Sequence, residues 1–518
     1  MVIRNLRLFV VCSLLALVLN GNHGKVYATS WQLEPRVTAS ELYTDNVNAK
    51  IDQEKQSDLV TELNPGFSLS RQGARIGVLL DYDYRARFYA GDSDRNNTNH
   101  AYSARGDAEL VKQRLFVMAT SSLSQRIADP IESLSLDNAN LTGNRANAWS
   151  TSGSARWQSK LGRFAQTQIQ YMINKTNVES DNLGDTNAAL LNALLHSSVS
   201  LARFSWLLRY KQADSNIQNS EDLSSKTAYG QAGYAFTRKI ILSLRLGYEE
   251  NPNLQRGNSL QEGTTKEAIL TLRPTQRLSM ISSYGRRSFG ETYNVSVSYQ
   301  APRTIFQGSF GRGPFGDTYN ASVNRQGRRS EVRLVYVESQ TNRSFLELGQ
   351  AQIEIPGGQQ NTFPDIDSSQ IQINNQDGSS SRTVNIFFPV VKDETFVRKL
   401  GQLSGTLKGR RNELSSSIFY ERREFSESSA DSSYGGDVSW RLVLNTRSDF
   451  EVTTSRQRIN LSQENRHDNV SQISAQYNHL LARDIKISFD YRHLRRNASD
   501  DSADQKENRA RATIRVDL

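Results

Sequence analysis

From about residue 32 to the last residue, apolar side chains recur at every second position in segments of about 10 to 14 residues. Ile76, Val78, Leu80, Tyr82, Tyr84, Ala86 and Phe88 alternate with Gly77, Leu79, Asp81, Asp83, Arg85 and Arg87. Ile240, Leu242, Leu244, Leu246 and Tyr248 alternate with Ile241, Ser243, Arg245, Gly247 and Glu249. Ile485, Ile487, Phe489 and Tyr491 do the same against Lys486, Ser488, Asp490 and Arg492. Successive side chains of a strand point to opposite faces, so one set meets an apolar medium and the other a wet one. A helix needs apolar residues three and four apart, which these segments lack. Strands of soluble sandwiches usually run about 5–6 residues, whereas tilted strands crossing a bilayer need about 9–11. Segment length therefore favours a transmembrane barrel.

The connections are of two kinds. Short ones include Arg71-Gln72-Gly73-Ala74, Val111-Lys112-Gln113, Ala202-Arg203, Thr237-Arg238-Lys239, Gly409-Arg410-Arg411 and Ala482-Arg483-Asp484. Long polar ones cover 45–57, 91–97, 126–147, 175–187, 214–224, 250–264, 426–432, 460–467 and 496–505. Short periplasmic turns and long extracellular loops are the layout of an outer-membrane barrel. The expected fold is all-β, a large antiparallel transmembrane β-barrel of about 24 strands, within a range of about 20–28. An even count puts both ends of the barrel on the periplasmic side. Tyr82, Phe88, Tyr171, Tyr210, Tyr248, Tyr336, Tyr420 and Tyr491 lie toward the far ends of strands that leave short turns. They are expected to form the outer aromatic girdle.

Arg4 and Arg7 precede an apolar run from Leu8 to Leu19, and Val26-Tyr27-Ala28 offers a small residue for cleavage. Residues 1–28 therefore read as a signal peptide, and 29–518 as the barrel. Cys12 is the single cysteine and lies within the leader. Disulfide and thiolate chemistry are thereby excluded from the mature chain. Removing Arg4, Arg7 and Lys25 lowers the formal net charge from +9 to +6. The basic residues are scattered, so no nucleic-acid partner is expected. His100, His196, His467, His479 and His493 form no zinc motif, and no phosphate or dinucleotide loop occurs. The chain is read as a non-enzyme, with no cofactor, no metal and no catalytic residues. Arg85, Arg87, Arg245, Arg333 and Arg492 alternate with apolar neighbours and are expected to line the lumen.

One segment is duplicated. Tyr284–Gln300 recurs 26 residues later as Phe310–Gln326, with ten of 17 positions identical. That period fits one hairpin, with Phe289-Gly290 and Phe315-Gly316 at tight turns. The stretch 341–393 is a long insert containing the apolar run Asn385–Val391, which is expected either to fold onto the mouth or into the lumen, or to form a surface loop. Alternation also continues through Ala512, Ile514, Val516 and Leu518. This looks like the C-terminal strand read by the barrel-insertion machinery, with Leu518 where an aromatic residue is usual.

The stretches Trp31–Val47, Ser57–Leu69 and Arg75–Tyr82, the Phe-Gly-x-Thr-Tyr repeats and Arg410-Arg411-Asn412 resemble the PEP-CTERM system-associated outer-membrane protein family. The likeness extends over nearly the whole mature chain. It implies an outer-membrane β-barrel of a Gram-negative bacterium, accompanying exosortase protein sorting and exopolysaccharide production. Its expected partners are outer-membrane lipid and lipopolysaccharide, the insertion machinery, and exopolysaccharide or periplasmic export proteins. A general porin, or a barrel sheathing a periplasmic partner, are the alternative roles.

Overall fold

In the computed structural model the described residues are 31–127, 140, 145–179, 184–198, 203–218, 222–250, 262–313, 316–341, 396–425, 430–462, 465–499 and 504–518. The expected leader and nearly all of the 341–393 insert lie outside them. Among the described residues, twenty-four strands follow one another. They are β1 (Gln32–Thr44), β2 (Asp58–Gln72), β3 (Ile76–Tyr89), β4 (Asn97–Val111), β5 (Leu115–Ile127) and β6 (Arg145–Leu161). Next come β7 (Ala165–Val178), β8 (Thr186–Ser197), β9 (Phe204–Ile217), β10 (Leu223–Thr237), β11 (Ile240–Glu250) and β12 (Glu262–Thr275). Then follow β13 (Leu278–Arg287), β14 (Gly290–Ala301), β15 (Thr304–Gly313), β16 (Gly316–Gln326), β17 (Ser330–Thr341) and β18 (Phe396–Lys408). The last are β19 (Asn412–Phe425), β20 (Ala430–Asn445), β21 (Ser448–Leu461), β22 (Arg466–Ala482), β23 (Ile485–Ala498) and β24 (Gln505–Asp517).

Each strand pairs antiparallel with its neighbours in sequence, and β1 pairs with β24 from Arg36↔Asp517 to Thr44↔Arg509. The sheet is thus closed, which leaves no strand edge unpaired and satisfies the backbone inside hydrocarbon. Twenty-four strands about 4.8 Å apart and tilted about 40° would enclose a circular wall roughly 45–50 Å across.

The alternation assigns the faces as expected. Leu242, Leu244 and Leu246 are 41%, 60% and 62% exposed on the outer face, while Ser243 is 6% exposed on the inner one. From Ile240 to Tyr248 the apolar face runs about 27 Å along the strand, or about 21 Å along the bilayer normal at that tilt. Phe88, Tyr171, Tyr248, Tyr420 and Tyr491 are all exposed outward, Phe88 and Tyr248 near the far ends of their strands and Tyr171 and Tyr491 at mid-strand. The protein is an outer-membrane β-barrel: closed, antiparallel, apolar outside and banded by aromatic rings.

The periplasmic turns carry their own hydrogen-bonding chemistry. The Thr237 hydroxyl accepts from the backbone of Lys239 and Ile240, and that of Thr275 from Arg277 and Leu278. These side chains satisfy turn N–H groups that the ladder leaves behind. Register shifts at Ala235/Thr237, Leu272/Thr275 and Val443/Asn445 sit at the same rim. Bulges there add twist where the chain reverses.

The duplicated segment forms two successive hairpins, β13–β14 and β15–β16. Unlike most of the outer connections, those of the two hairpins are short, as expected from the Phe-Gly pairs. Arg287 pairs with Gly290 and Gly313 with Gly316, so the outer connections hold two residues each. Gly290 and Gly316 have φ of 120° and 109°, a region that L side chains rarely adopt. Phe289 occupies the first turn, whereas Phe315 is outside the described residues. The repeat also places Tyr284 opposite Tyr293 and Phe310 opposite Tyr319. The Phe310 and Tyr319 rings stack at 4.9 Å. Tyr284, Tyr293, Phe310 and Tyr319 therefore lie in the strands of the wall.

Candidate functional site: the charged inner wall

The inner face is polar because the alternate positions of most strands are Ser, Thr, Asn, Gln, Arg, Asp or Glu. Their side chains bond across strands. Thr120 and Ser152 hydroxyls lie 2.5 Å apart, Arg209 donates to Asn192 at 3.1 Å, and Gln457 donates to Ser433 at 2.7 Å. Opposite charges meet in the same way. Arg36 reaches Asp83 at 2.8 Å and Asp81 at 3.4 Å.

The expected lumen residues take different partners. Arg245 donates to Glu267 at 3.1 Å and to Gln231, and lies over the Tyr229 ring at 4.5 Å. Arg87 is 2% exposed, 3.5 Å from Glu62, and donates to Asn97. Arg85, Arg333 and Arg492 fall on the same inner face by strand parity, opposite Asn99, Asn324 and Ser474. The five are distributed around the wall rather than gathered in one cluster.

Burial along the wall is graded. On most strands the inner positions nearest the extracellular end are buried, while those nearest the periplasmic turns remain accessible. The buried end carries carboxylates flanked by guanidinium groups. Glu421, 1% exposed, meets Arg398 at 3.0 Å and Arg423 at 2.7 Å. Asp468 meets Arg496 at 2.5 Å and Arg466 at 3.0 Å. Glu249, fully buried, accepts from Arg287 and from both the backbone and hydroxyl of Ser288. It thereby ties β11 across β12 to the tight β13–β14 turn. A charge buried to this degree is tolerable only when paired and hydrogen-bonded.

Apolar residues also face inward at this end, which alternation alone did not indicate. Leu42, Val60 and Tyr89 pack with Val47, so part of the β1–β2 connection lies against the inside of the wall. Val335, Val337, Phe396, Phe419 and Phe425 are buried on the inner face of β17–β19, with Phe396 and Phe425 rings 5.6 Å apart.

The segment Thr44-Asp45-Asn46 fastens the first strand to the last. The Thr44 hydroxyl donates to Glu507 at 2.7 Å, and the Asn46 amide donates to the Lys506 carbonyl at 3.0 Å. Asp45 accepts from the backbone and side chain of Asn508. Asn140, from the β5–β6 connection, joins this cluster. It accepts from Arg509 at 2.5 Å and donates to Glu507 at 3.2 Å. Two loops and the seam thus share one buried polar network.

Among the described residues no group of three or more His, Cys, Asp or Glu is arranged to hold a metal ion. The histidines have local partners: His100 bonds Tyr82, His479 bonds Ser448, and His493 bonds Asn508.

No family model and no curated protein matches the chain. Solved structures do. The siderophore receptor PirA from Acinetobacter baumannii is 8% identical, with 96% of this chain and 81% of that one covered and a TM-score of 0.46. A variant of the ferric enterobactin receptor PfeA from Pseudomonas aeruginosa is 7% identical, with 95% and 81% covered and a TM-score of 0.45. The FrpB iron transporter from Neisseria meningitidis is 7% identical, with 95% and 83% covered and a TM-score of 0.41. A likeness this distant carries neither ligand nor activity across to this chain.

Proposed function

We propose that this barrel is a non-enzymatic conduit serving the export or surface assembly of an exopolysaccharide in the PEP-CTERM/exosortase setting. The observation that supports it is the inner wall: wide, hydroxyl- and amide-rich, and charge-paired from Arg36 with Asp81 and Asp83 to Arg245 with Glu267. A hydrated glycan slides along such a wall by exchanging weak hydrogen bonds, none strong enough to hold it. The paired charges leave little net field to trap an ion. Accessible inner positions toward the periplasm suit entry from that side, and the buried extracellular end suits a passage that opens on demand.

Deletion of the gene is expected to reduce surface polysaccharide, and restoration of the intact chain to recover it. Normal polysaccharide in the deletion strain would reject the proposal. The purified barrel in planar bilayers is expected to be largely closed, with conductance changing when a candidate glycan is added. A steady, glycan-independent open conductance, together with normal polysaccharide, would instead identify a general porin. The buried extracellular end argues against that second reading.

A further inference from the structure

The outer wall carries a cationic row on β21–β24 that no carboxylate offsets among the described residues. Arg456 of β21, Ser471 of β22, Arg495 of β23 and Lys506 of β24 occupy successive paired positions. Arg458 sits one outward position beyond Arg456, and its guanidinium donates to Asn460 at 3.2 Å. Arg456, Arg495 and Lys506 are exposed, and Arg495 donates to Asn497 at 2.9 Å. Arg456, Asn469, Val470, Ser471, Arg495 and Asn497 line a hollow of about 270 Å³.

Three features together mark this row. First, inner-wall arginines meet acids, as Arg496 meets Asp468 and Arg398 meets Glu421. Some outer-wall cations elsewhere do so too: Lys226 meets Glu250, and Lys399 and Arg422 meet Glu424. Second, Arg495 and Lys506 are direct cross-strand partners. Like charges opposite one another weaken a sheet unless an anion lies between them. Third, its height is diagnostic. The next outward residue below Ser471 is the exposed Ile473, and the exposed Tyr491 lies two outward positions below Arg495. The row therefore stands just above the apolar band, at the headgroups of the outer leaflet.

We infer that this row is a binding site for the phosphate groups of the glycolipid that forms the outer leaflet, the lipid A portion of lipopolysaccharide. Arg456 and Arg495 present forked donors that match phosphate oxygens, and Lys506 adds a point charge. Ser471, Asn469 and Asn497 supply neutral hydrogen bonds to the sugar between the phosphates. The site is independent of what crosses the lumen.

The test uses the full barrel, purified in detergent. Diphosphorylated lipid A, enzymatically dephosphorylated lipid A, phosphatidylglycerol and inorganic phosphate are titrated separately. Diphosphorylated lipid A is expected to bind at least about tenfold more tightly than the other three. The paired substitutions Arg456→Gln and Arg495→Gln should remove that preference, while Lys239→Gln at a periplasmic turn should not. Should the double variant fail to insert, Lys506→Gln, at an exposed side chain, is expected to weaken lipid A binding severalfold by itself. Equal binding of dephosphorylated lipid A or of phosphatidylglycerol would overturn the inference, as would lipid A affinity unchanged in the variants that fold.

Discussion

The carboxylate of Asp45 accepts two hydrogen bonds from Asn508, 2.7 Å from its backbone nitrogen and 2.7 Å from its side-chain amide. The backbone of Asp45 in turn donates to the Asn508 carbonyl at 3.1 Å. Residues 463 positions apart in sequence are thus joined at the place where the cylinder closes. Asp45→Ala should destabilise the folded barrel by about 1–3 kcal/mol, because it removes a charged acceptor and strands two donors. Asn508→Ala should cost a similar amount. The double variant should fall short of their sum, since each single change already breaks the shared contact. Reversible unfolding in lipid, read by heat-dependent gel mobility, checks this. Additive losses would mean that the two residues act separately.

Glu421 stands between two guanidinium groups. Glu421→Gln keeps the shape and removes the charge, so that the buried Arg423 and the half-buried Arg398 face a neutral amide. A loss of about 3–5 kcal/mol is expected, by the same unfolding measurement. Replacing Glu424, which lies on the outer face in contact with Lys399 and Arg422, should cost about 1 kcal/mol or less.

The tight outer turns of the duplicated hairpins depend on backbone that only glycine adopts easily. Gly290→Val should cost about 1–3 kcal/mol through its φ of 120°, although open space surrounds the position. The same substitution at Gly106, which has equally open surroundings and no such φ, should cost less. Comparable losses at both would show that conformation is not the cause.

The facing of β11, the strand number and the periplasmic turns were legible in the sequence because they follow from local chemistry. Leu244 and Ser243 declare their sides by alternation, and Thr237-Arg238-Lys239 declares a turn by composition. The seam was not legible. Thr44, Asp45 and Asn46 read as an ordinary polar loop start, and their partners Glu507, Asn508 and Lys506 lie at the other end of the chain. The inward apolar residues were missed for a related reason. Leu42, Phe396, Phe419 and Phe425 break the rule of a polar lumen, and what buries an inner position is set by tertiary packing rather than by period. Arg456 and Arg495 likewise read as scattered charge until the register aligned them through Ser471.

At mid-wall, the two faces should differ sharply in their tolerance of charge. Leu244→Arg is expected to cost roughly 2–4 kcal/mol, because the guanidinium enters hydrocarbon. At the inner neighbour Ser243, packed within the polar inner wall, Ser243→Arg should cost less than Leu244→Arg, since its guanidinium meets polar groups instead of hydrocarbon. Equal losses would contradict the assigned faces.

The most direct test of a closed cylinder with lipid outside and water within is a scan of single spin labels along Ile240 to Glu249 in reconstituted membranes. Labels at 240, 242, 244 and 246 should be quenched by oxygen dissolved in the lipid and shielded from an aqueous nickel reagent. Labels at 241, 243 and 245 should show the weaker oxygen response of the inner side. Strict alternation over the strand is the predicted result; a uniformly aqueous profile at 240, 242 and 244 would contradict it.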